Sequence, residues 1–136
     1  MDNETIEDFA RYRLNKAKET LETAKMIFNE GKDFSSANNR AYYAIFYAIR
    51  AVLAIEEIDF KRHKDVLAYF NKEYVNKEKF PKMIGRKISQ AQRIRDDSDY
   101  DDDYEPSFEK TEQQINTAQE LIGLVEEYIN NYYKNN

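Results

Sequence analysis

The stretch that decides the fold runs from Ser35 to Arg50 and reads SSANNRAYYAIFYAIR. Bulky apolar side chains such as Ile45 and Ile49 share this stretch with a face of small residues. The small residues recur at three- and four-residue steps: Ala37, Ala41, Ala44, Ala48 and Ala51. A helix that is apolar on two faces is typical of a bundle centre, where alanines let neighbouring helices approach closely. The pattern predicts a buried central helix over about Ser35 to Glu57.

The rest of the chain also predicts helices. With only 3 Gly and 2 Pro in 136 residues, the composition favours long helices over a many-turned sheet. Apolar periodicity predicts further helices at about Glu4–Glu30, His63–Val75, Lys82–Arg95 and Ser107–Tyr133. The acidic stretch from Asp96 to Ser107 is predicted to be a loop, because Asp and Ser compete with helical hydrogen bonding. We expect one all-α domain over residues 1–136, an up-and-down bundle of four or five helices.

In the last predicted helix, Phe108, Ile115, Ile122 and Ile129 are spaced by seven residues. A repeat of this kind forms a seam along one side of a helix, which then lies nearly parallel or antiparallel to its neighbours. The spacing agrees with an up-and-down arrangement.

Composition excludes several kinds of site. The chain has no Cys and one His, so disulfides, thiolate metal sites, cysteine nucleophiles and multi-histidine metal sites within one chain are excluded. We expect no metal and no cofactor. The longest uncharged apolar run, Ala41 to Ile49, is flanked by arginines and is too short to span a bilayer. The acidic, polar N-terminus does not resemble a secretory leader. These features predict a soluble, cytoplasmic protein without membrane association.

Charge is distributed unevenly along the chain, whose net charge is −5. Between Lys61 and Arg95 there are eleven Lys or Arg residues and three acids, a local charge of +8. From Asp96 to Glu105 there are seven acids and no bases, a local charge of −7. The basic segment can meet phosphate groups, and a solvated charged face accounts for the same residues.

Polar residues form a stripe on the central helix. Ser36, Arg40, Tyr43, Tyr47 and Arg50 follow one another at three- and four-residue steps and share one face. Arg40 and Tyr47 are two helical turns apart, so their long side chains can act on one phosphodiester. Arg and Tyr are also enriched where protein subunits meet. The spacing alone therefore favours an interface between helical subunits over a phosphate-binding site.

The sequence of this helix, ANNRAYYAIFYAIRAVL from Ala37 to Leu53, resembles the signature helix of the HEPN superfamily, in its small stand-alone prokaryotic branch. Further matching pieces are the KRHK run from Lys61 to Lys64, Arg93 and Arg95 leading to the Asp99–Tyr100 pair, and a long closing helix. The resemblance implies an all-helical homodimer that is often encoded beside a minimal nucleotidyltransferase in toxin–antitoxin pairs. It also implies a metal-independent endoribonuclease whose active site pairs an Arg with a His several residues later.

Carried onto this chain, the motif Arg is Arg40, and Tyr47 stands at the His position. Metal-independent cleavage of RNA needs a base for the 2′-hydroxyl, an acid for the leaving oxygen and a cation for the phosphorane charge. Arg40 suits the cation. Tyr47 suits positioning or proton donation, because an unperturbed phenol with a pKa of about 10 is a poor base.

His63 is the one side chain whose unperturbed pKa suits proton transfer at neutral pH. We expect it to act as the base if dimerisation brings it to the Arg40 stripe; a helix-capping or exposed polar His is the alternative. The remaining candidates for contact with RNA or a nucleotide are Asn39, Tyr43, Arg50, Lys61, Arg62 and Lys64.

Three functions remain open. The first is a toxin-like HEPN protein acting on RNA, with the variant Arg40–Tyr47 motif. The second is a non-catalytic dimer that holds a minimal nucleotidyltransferase, or that is modified by it on a tyrosine. A nucleotide-binding regulator is a third reading, although no glycine-rich phosphate loop is present.

Overall fold

The central helix of the fold is α2, Phe34–Ile55, in a computed structural model that describes residues 2–31, 33–100 and 105–134, except for the side chains of residues 99 and 100. Its N-terminus is capped by Asp33, whose carboxylate accepts a hydrogen bond from the Ser36 backbone N–H at 3.0 Å. The helix packs against every other helix of the bundle. Its predicted small-residue face is confirmed, since these residues are fully buried: Ala37, Ala41, Ala44, Ala48 and Ala51.

Four helices surround α2, and the described residues contain no strand, so the predicted all-α class is confirmed. They are α1 (Asn3–Glu30), α3 (His63–Phe70), α4 (Lys82–Tyr100) and α5 (Phe108–Lys134). A five-residue π-helical turn, Asn71–Val75, extends α3. Buried residues of all five helices form one apolar core. None of the helices in the described part of the chain is long and apolar enough to cross a membrane.

The predicted loop after Arg95 is wrong in its first part. α4 continues through Asp96 to Tyr100, although Asp and Ser are poor helix formers. The extension faces the first turns of α2, where Ser98 and Asn38 line one cleft, so tertiary structure outweighs propensity here. Residues 101–104 of the predicted loop lie outside the described residues, and residues 105–107 are not helical.

The predicted heptad seam lies on the side of α5 that faces the apolar core. Ile115, Ile122 and Ile129 are buried, whereas Phe108 at the helix start is 47% exposed. Phe108 instead packs on Phe28 of α1, with ring centres 4.8 Å apart. The seam therefore holds α5 against the core.

Gly85 explains how α4 meets the π-helical turn. An added β-carbon at this position would lie 2.7 Å from Cγ1 of Val75, a distance that requires a shift. A glycine in the middle of a helix ordinarily weakens that helix. Here the missing side chain lets the Val75 side chain pack against the backbone of α4.

Candidate functional site

The predicted polar stripe on α2 is half-buried and continuous at its N-terminal end. The guanidinium carbon of Arg40 lies 5.3 Å from the centre of the Tyr43 ring. The ring centres of Tyr43 and Tyr47 are 6.1 Å apart, and Lys16 of α1 lies 5.5 Å from the Tyr47 ring. Arg40 and Tyr47 thus flank Tyr43 on one accessible face.

His63 joins this stripe within a single chain. It is the first residue of α3, and its imidazole stacks on Phe46 with ring centres 4.0 Å apart. The same imidazole meets Tyr43 edge-on at 5.7 Å. The connector between α2 and α3 returns His63 to α2, so the imidazole reaches the stripe within one chain, whereas dimerisation is the route considered from the sequence. The Tyr43 ring is thus the neighbour of both the imidazole and the Arg40 guanidinium.

The surroundings of His63 favour its neutral form. Burial lowers the pKa of the imidazole, and the positive charges of Arg95 and Arg50 lower it further. A neutral imidazole can accept a proton, which a general base must do. His63 is therefore the side chain of the site best suited to proton abstraction at neutral pH.

Arg50 lies at the other end of the stripe and is held in place. Its guanidinium donates to Asp59 at 2.6 Å and lies 5.7 Å from the Phe46 ring. Arg13 of α1 donates to the Arg50 carbonyl at 3.1 Å and lies 3.6 Å from the Asp59 carboxylate.

Burial raises the pKa of Asp59, but hydrogen bonds from Arg50 and from the Phe60 backbone, with the nearby Arg charges, hold it below its usual value. Arg50 is thus a fixed cation near His63 whose salt bridge anchors the connector.

A cleft of about 460 Å³ opens beside Arg40. It lies between the first turns of α2 and the C-terminal half of α4, and Arg95 supplies a second guanidinium to its wall. Sequence reasoning missed Arg95 as a site residue, because the predicted helix stopped there. The available signal was the Arg93–Arg95 pair, which the resemblance included without assigning a role.

The other predicted nucleic-acid contacts are divided between this cleft and separate surfaces. Asn39 lines the cleft and accepts a hydrogen bond from the Arg40 guanidinium at 3.0 Å, so it orients that cation. Lys61, Arg62 and Lys64 are exposed, and Arg62 pairs with Asp65 at 3.3 Å. Lys64 lines a different groove, between α3 and α4. The structure therefore brings Asn39 and Tyr43 to Arg40. It leaves the basic side chains of Lys61, Arg62 and Lys64 outside the cleft.

The assembled groups suit proton transfer to and from a polyanion. They comprise the His63 imidazole, whose pKa is lowered, and half-buried guanidinium and phenol groups of α2. α4 forms the third wall of the site. Within residues 2–31, 33–100 and 105–134, no three His, Asp or Glu side chains are grouped so as to hold a metal ion.

Comparison with known proteins agrees with this architecture. The family model for the HEPN domain matches residues 10–128. A "UPF0332 protein" of Thermotoga maritima is 32% identical over 123 residues, which cover 90% of this chain and 92% of that protein. A Methanocaldococcus jannaschii protein named "Putative toxin MJ0605" is 31% identical over 123 residues, covering 90% of each chain. A second protein of that organism, "Putative toxin MJ0142", is 30% identical over 117 residues, 85% of this chain and 78% of its own. As the resemblance of α2 predicted, the chain belongs to the HEPN domain family.

Proposed function

We propose that this protein is a toxin-like endoribonuclease that cleaves RNA without a metal ion. The observation that carries the proposal is the placement of His63 against Tyr43, on whose ring the Arg40 guanidinium lies. Base, cation and phenol groups thus occur together in one chain. Membership of the HEPN family and the toxin names of two relatives support this function.

In the proposed reaction His63 removes the proton of a ribose 2′-hydroxyl. The 2′-oxygen then attacks the adjacent phosphorus, and the bond from phosphorus to the 5′-oxygen breaks. Arg40 stabilises the negative charge that develops on the phosphate oxygens. Tyr47 positions the phosphate or donates the proton that the leaving 5′-oxygen takes up. The products are a 2′,3′-cyclic phosphate and a 5′-hydroxyl.

The test is cleavage of a single-stranded RNA by purified protein in the presence of EDTA. Wild-type protein should cut the RNA and leave 2′,3′-cyclic phosphate ends. Arg40→Ala should lower the rate about 100-fold or more, as expected when a preorganised donor to a developing oxyanion is removed. Arg11→Ala is a matched control, because the Arg11 guanidinium pairs with Glu7 of its own helix and with Asn130 of α5. Equal cleavage by the Arg40→Ala and Arg11→Ala proteins would contradict the proposal.

The alternative function is a non-catalytic partner, or a modification target, of a minimal nucleotidyltransferase. It is favoured by accessible tyrosines, among them Tyr12, which is 64% exposed, and Tyr132, which is 41% exposed. Nucleotide transfer to a tyrosine needs an accessible phenol oxygen. Co-purification with a nucleotidyltransferase, a nucleotide adduct in the intact mass and no RNA cleavage would together favour this reading.

A further inference from the structure

The cleft beside Arg40 contains polar groups that the proposed cleavage chemistry does not use. Asn38, Asn39, Arg95 and Ser98 line it together with Arg40, and Ile27 of α1 supplies an apolar wall. Its volume of about 460 Å³ is within the range of small-molecule sites in proteins. The cleft can therefore hold a ligand as well as a bare phosphate.

Two of these lining groups are buried and have no hydrogen-bond partner among the residues that the structure describes. Asn38 is 1% exposed, and its Oδ1 accepts no hydrogen bond from residues 2–31, 33–98 or 105–134. The Oγ of Ser98, on the facing helix, is also buried and unpaired. Almost all buried polar atoms in folded proteins are paired, because an unpaired one lowers stability. Two such atoms across one cleft indicate that a ligand with hydrogen-bonding groups completes the site.

The charged groups indicate where an anionic part of the ligand would bind. Arg40 and Arg95 are the cations of the cleft wall, and guanidinium groups pair well with phosphate oxygens. Arg95 also lies 3.8 Å from the carboxylate of Asp96. The carboxylate of Asp33 already occupies the N-terminus of α2, so the backbone N–H groups there are not what selects an anion.

We propose that the cleft is a nucleobase-binding subsite for the nucleotide next to the cleaved bond. The phosphate of that nucleotide pairs with Arg40 and Arg95, and its base lies against Asn38, Ser98 and Ile27. An amide and a hydroxyl can hydrogen-bond the edge of an unpaired base, which is how proteins select bases in single-stranded RNA. The subsite rests on the proposed function, since Arg40 serves both the cleaved phosphate and the bound nucleotide.

The cleft shares its cations with the site of His63, which is why a base held there would bear on cleavage. Arg40 lies on the Tyr43 ring that His63 contacts, and the charge of Arg95 reaches His63. A base held in the cleft would fix the position of the adjoining phosphodiester relative to the imidazole. The cleft would then determine which base is preferred next to the cleaved phosphodiester bond.

The test measures binding of the four nucleoside 5′-monophosphates and of inorganic phosphate to the whole protein by calorimetry. At least one nucleotide should bind more tightly than phosphate. Ser98→Ala and Asn38→Leu should each weaken that nucleotide about fivefold to tenfold, as expected for one lost hydrogen bond, and leave phosphate binding unchanged. Ser89→Ala is the matched control, because Ser89 lies on the same helix but lines the grooves toward the π-helical turn.

The melting temperature of the variants is a second measurement. A ligand-binding role and a purely structural role for Ser98 predict opposite changes in it. Removing a buried polar atom that has no partner should leave the melting temperature unchanged or raise it, while nucleotide affinity falls. A lower melting temperature of the Ser98→Ala protein, with nucleotide binding unchanged, would assign Ser98 a structural role and overturn the subsite.

The binding experiment fails separately from the cleavage experiment. If no nucleotide binds more tightly than phosphate while the wild-type protein still cuts RNA, the subsite is wrong and the ribonuclease stands. If a nucleotide binds and responds to Ser98→Ala while RNA stays intact, the cleft is confirmed and the ribonuclease is wrong. Where both hold, the mapped cut sites should favour one base, and the Asn38→Leu protein should lose that preference.

Discussion

The imidazole of His63 takes its properties from side chains of other helices. Phe46 covers one face of the ring, Tyr43 meets its edge, and Arg50 and Arg95 place positive charge nearby. Burial and these charges act in the same direction, so the protonated form is disfavoured. His63 is the single His of the chain, which makes its titration directly observable.

We expect the His63 ring to titrate below its ordinary pKa of about 6.5 in NMR spectra recorded against pH. Arg95→Gln should raise the midpoint toward 6.5, because it removes one of the charges that repel the proton. The acid limb of RNA cleavage should move with it, since activity needs the neutral ring. Arg86→Gln, an exposed change on the same helix, serves as control.

The same pKa shift affects stability with a defined sign. The unfolded chain binds the His63 proton more readily than the folded chain, so stability falls as pH drops from about 6.5 to the folded pKa. Above 6.5 the ring is neutral in both states and this loss is absent. A His63 midpoint at or above 6.5 in the folded protein would contradict both expectations.

Residues within one helix could be placed from sequence, and residues that meet through tertiary packing could not. The order Arg40, Tyr43, Tyr47 follows from helical periodicity, and the structure keeps all three on one face. The contact between His63 and Phe46 depends on the path of the connector from residue 56 to 62, for which periodicity gives no information. Arg95 was missed because helix propensity ended α4 too early.

At the scale of the elements, a glycine lets the π-helical turn pack closely against α4. Val75 of the turn is buried, and its side chain occupies the space that a β-carbon of Gly85 would take. Composition predicts the cost of a mid-helix glycine, but the benefit comes from a neighbour ten residues earlier in the chain.

Gly85→Ala should therefore lower the free energy of unfolding by up to about 2 kcal/mol, although alanine is the better helix former. Overpacking costs about 1–3 kcal/mol and the gain in helix propensity offsets about 1 kcal/mol of it. Gly123→Ala in α5 is the matched control, because nothing lies within 4 Å of its added β-carbon. It should raise the free energy of unfolding by about 0.5–1 kcal/mol.

Urea denaturation of the two glycine variants measures both changes. Equal stabilisation by the two substitutions would show that Val75 can move aside freely, contrary to the packing described for the π-helical turn.

For the whole molecule, aromatic residues of α1 and α2 form an accessible face. Tyr12 and Phe9 are 64% and 43% exposed on α1, and Lys16, one turn after Tyr12, contacts the Tyr47 ring. Tyrosines of this kind frequently dominate protein interfaces. This face therefore suits the homodimer that the resemblance to HEPN proteins predicts.

Sedimentation equilibrium should give a mass of two 16.2 kDa chains for the wild-type protein. Tyr12→Glu should shift the equilibrium to the monomer, because it places a charge at the predicted contact, while the melting temperature at low concentration stays unchanged. Met83→Glu, at a 53% exposed position on α4, should leave the dimer intact. A monomeric wild-type protein would contradict the prediction.

The salt bridge from Asp59 to Arg50 has a consequence for how such proteins can vary in length. Asp59 belongs to the short link between α2 and α3, and it also lies 3.6 Å from Arg13 of α1. An inserted or deleted residue in this link would carry His63 away from Phe46 while the bundle itself stayed folded. Evolutionary changes in chain length should therefore accumulate elsewhere, and a relative with an altered link should be inactive or should draw its proton acceptor from another helix.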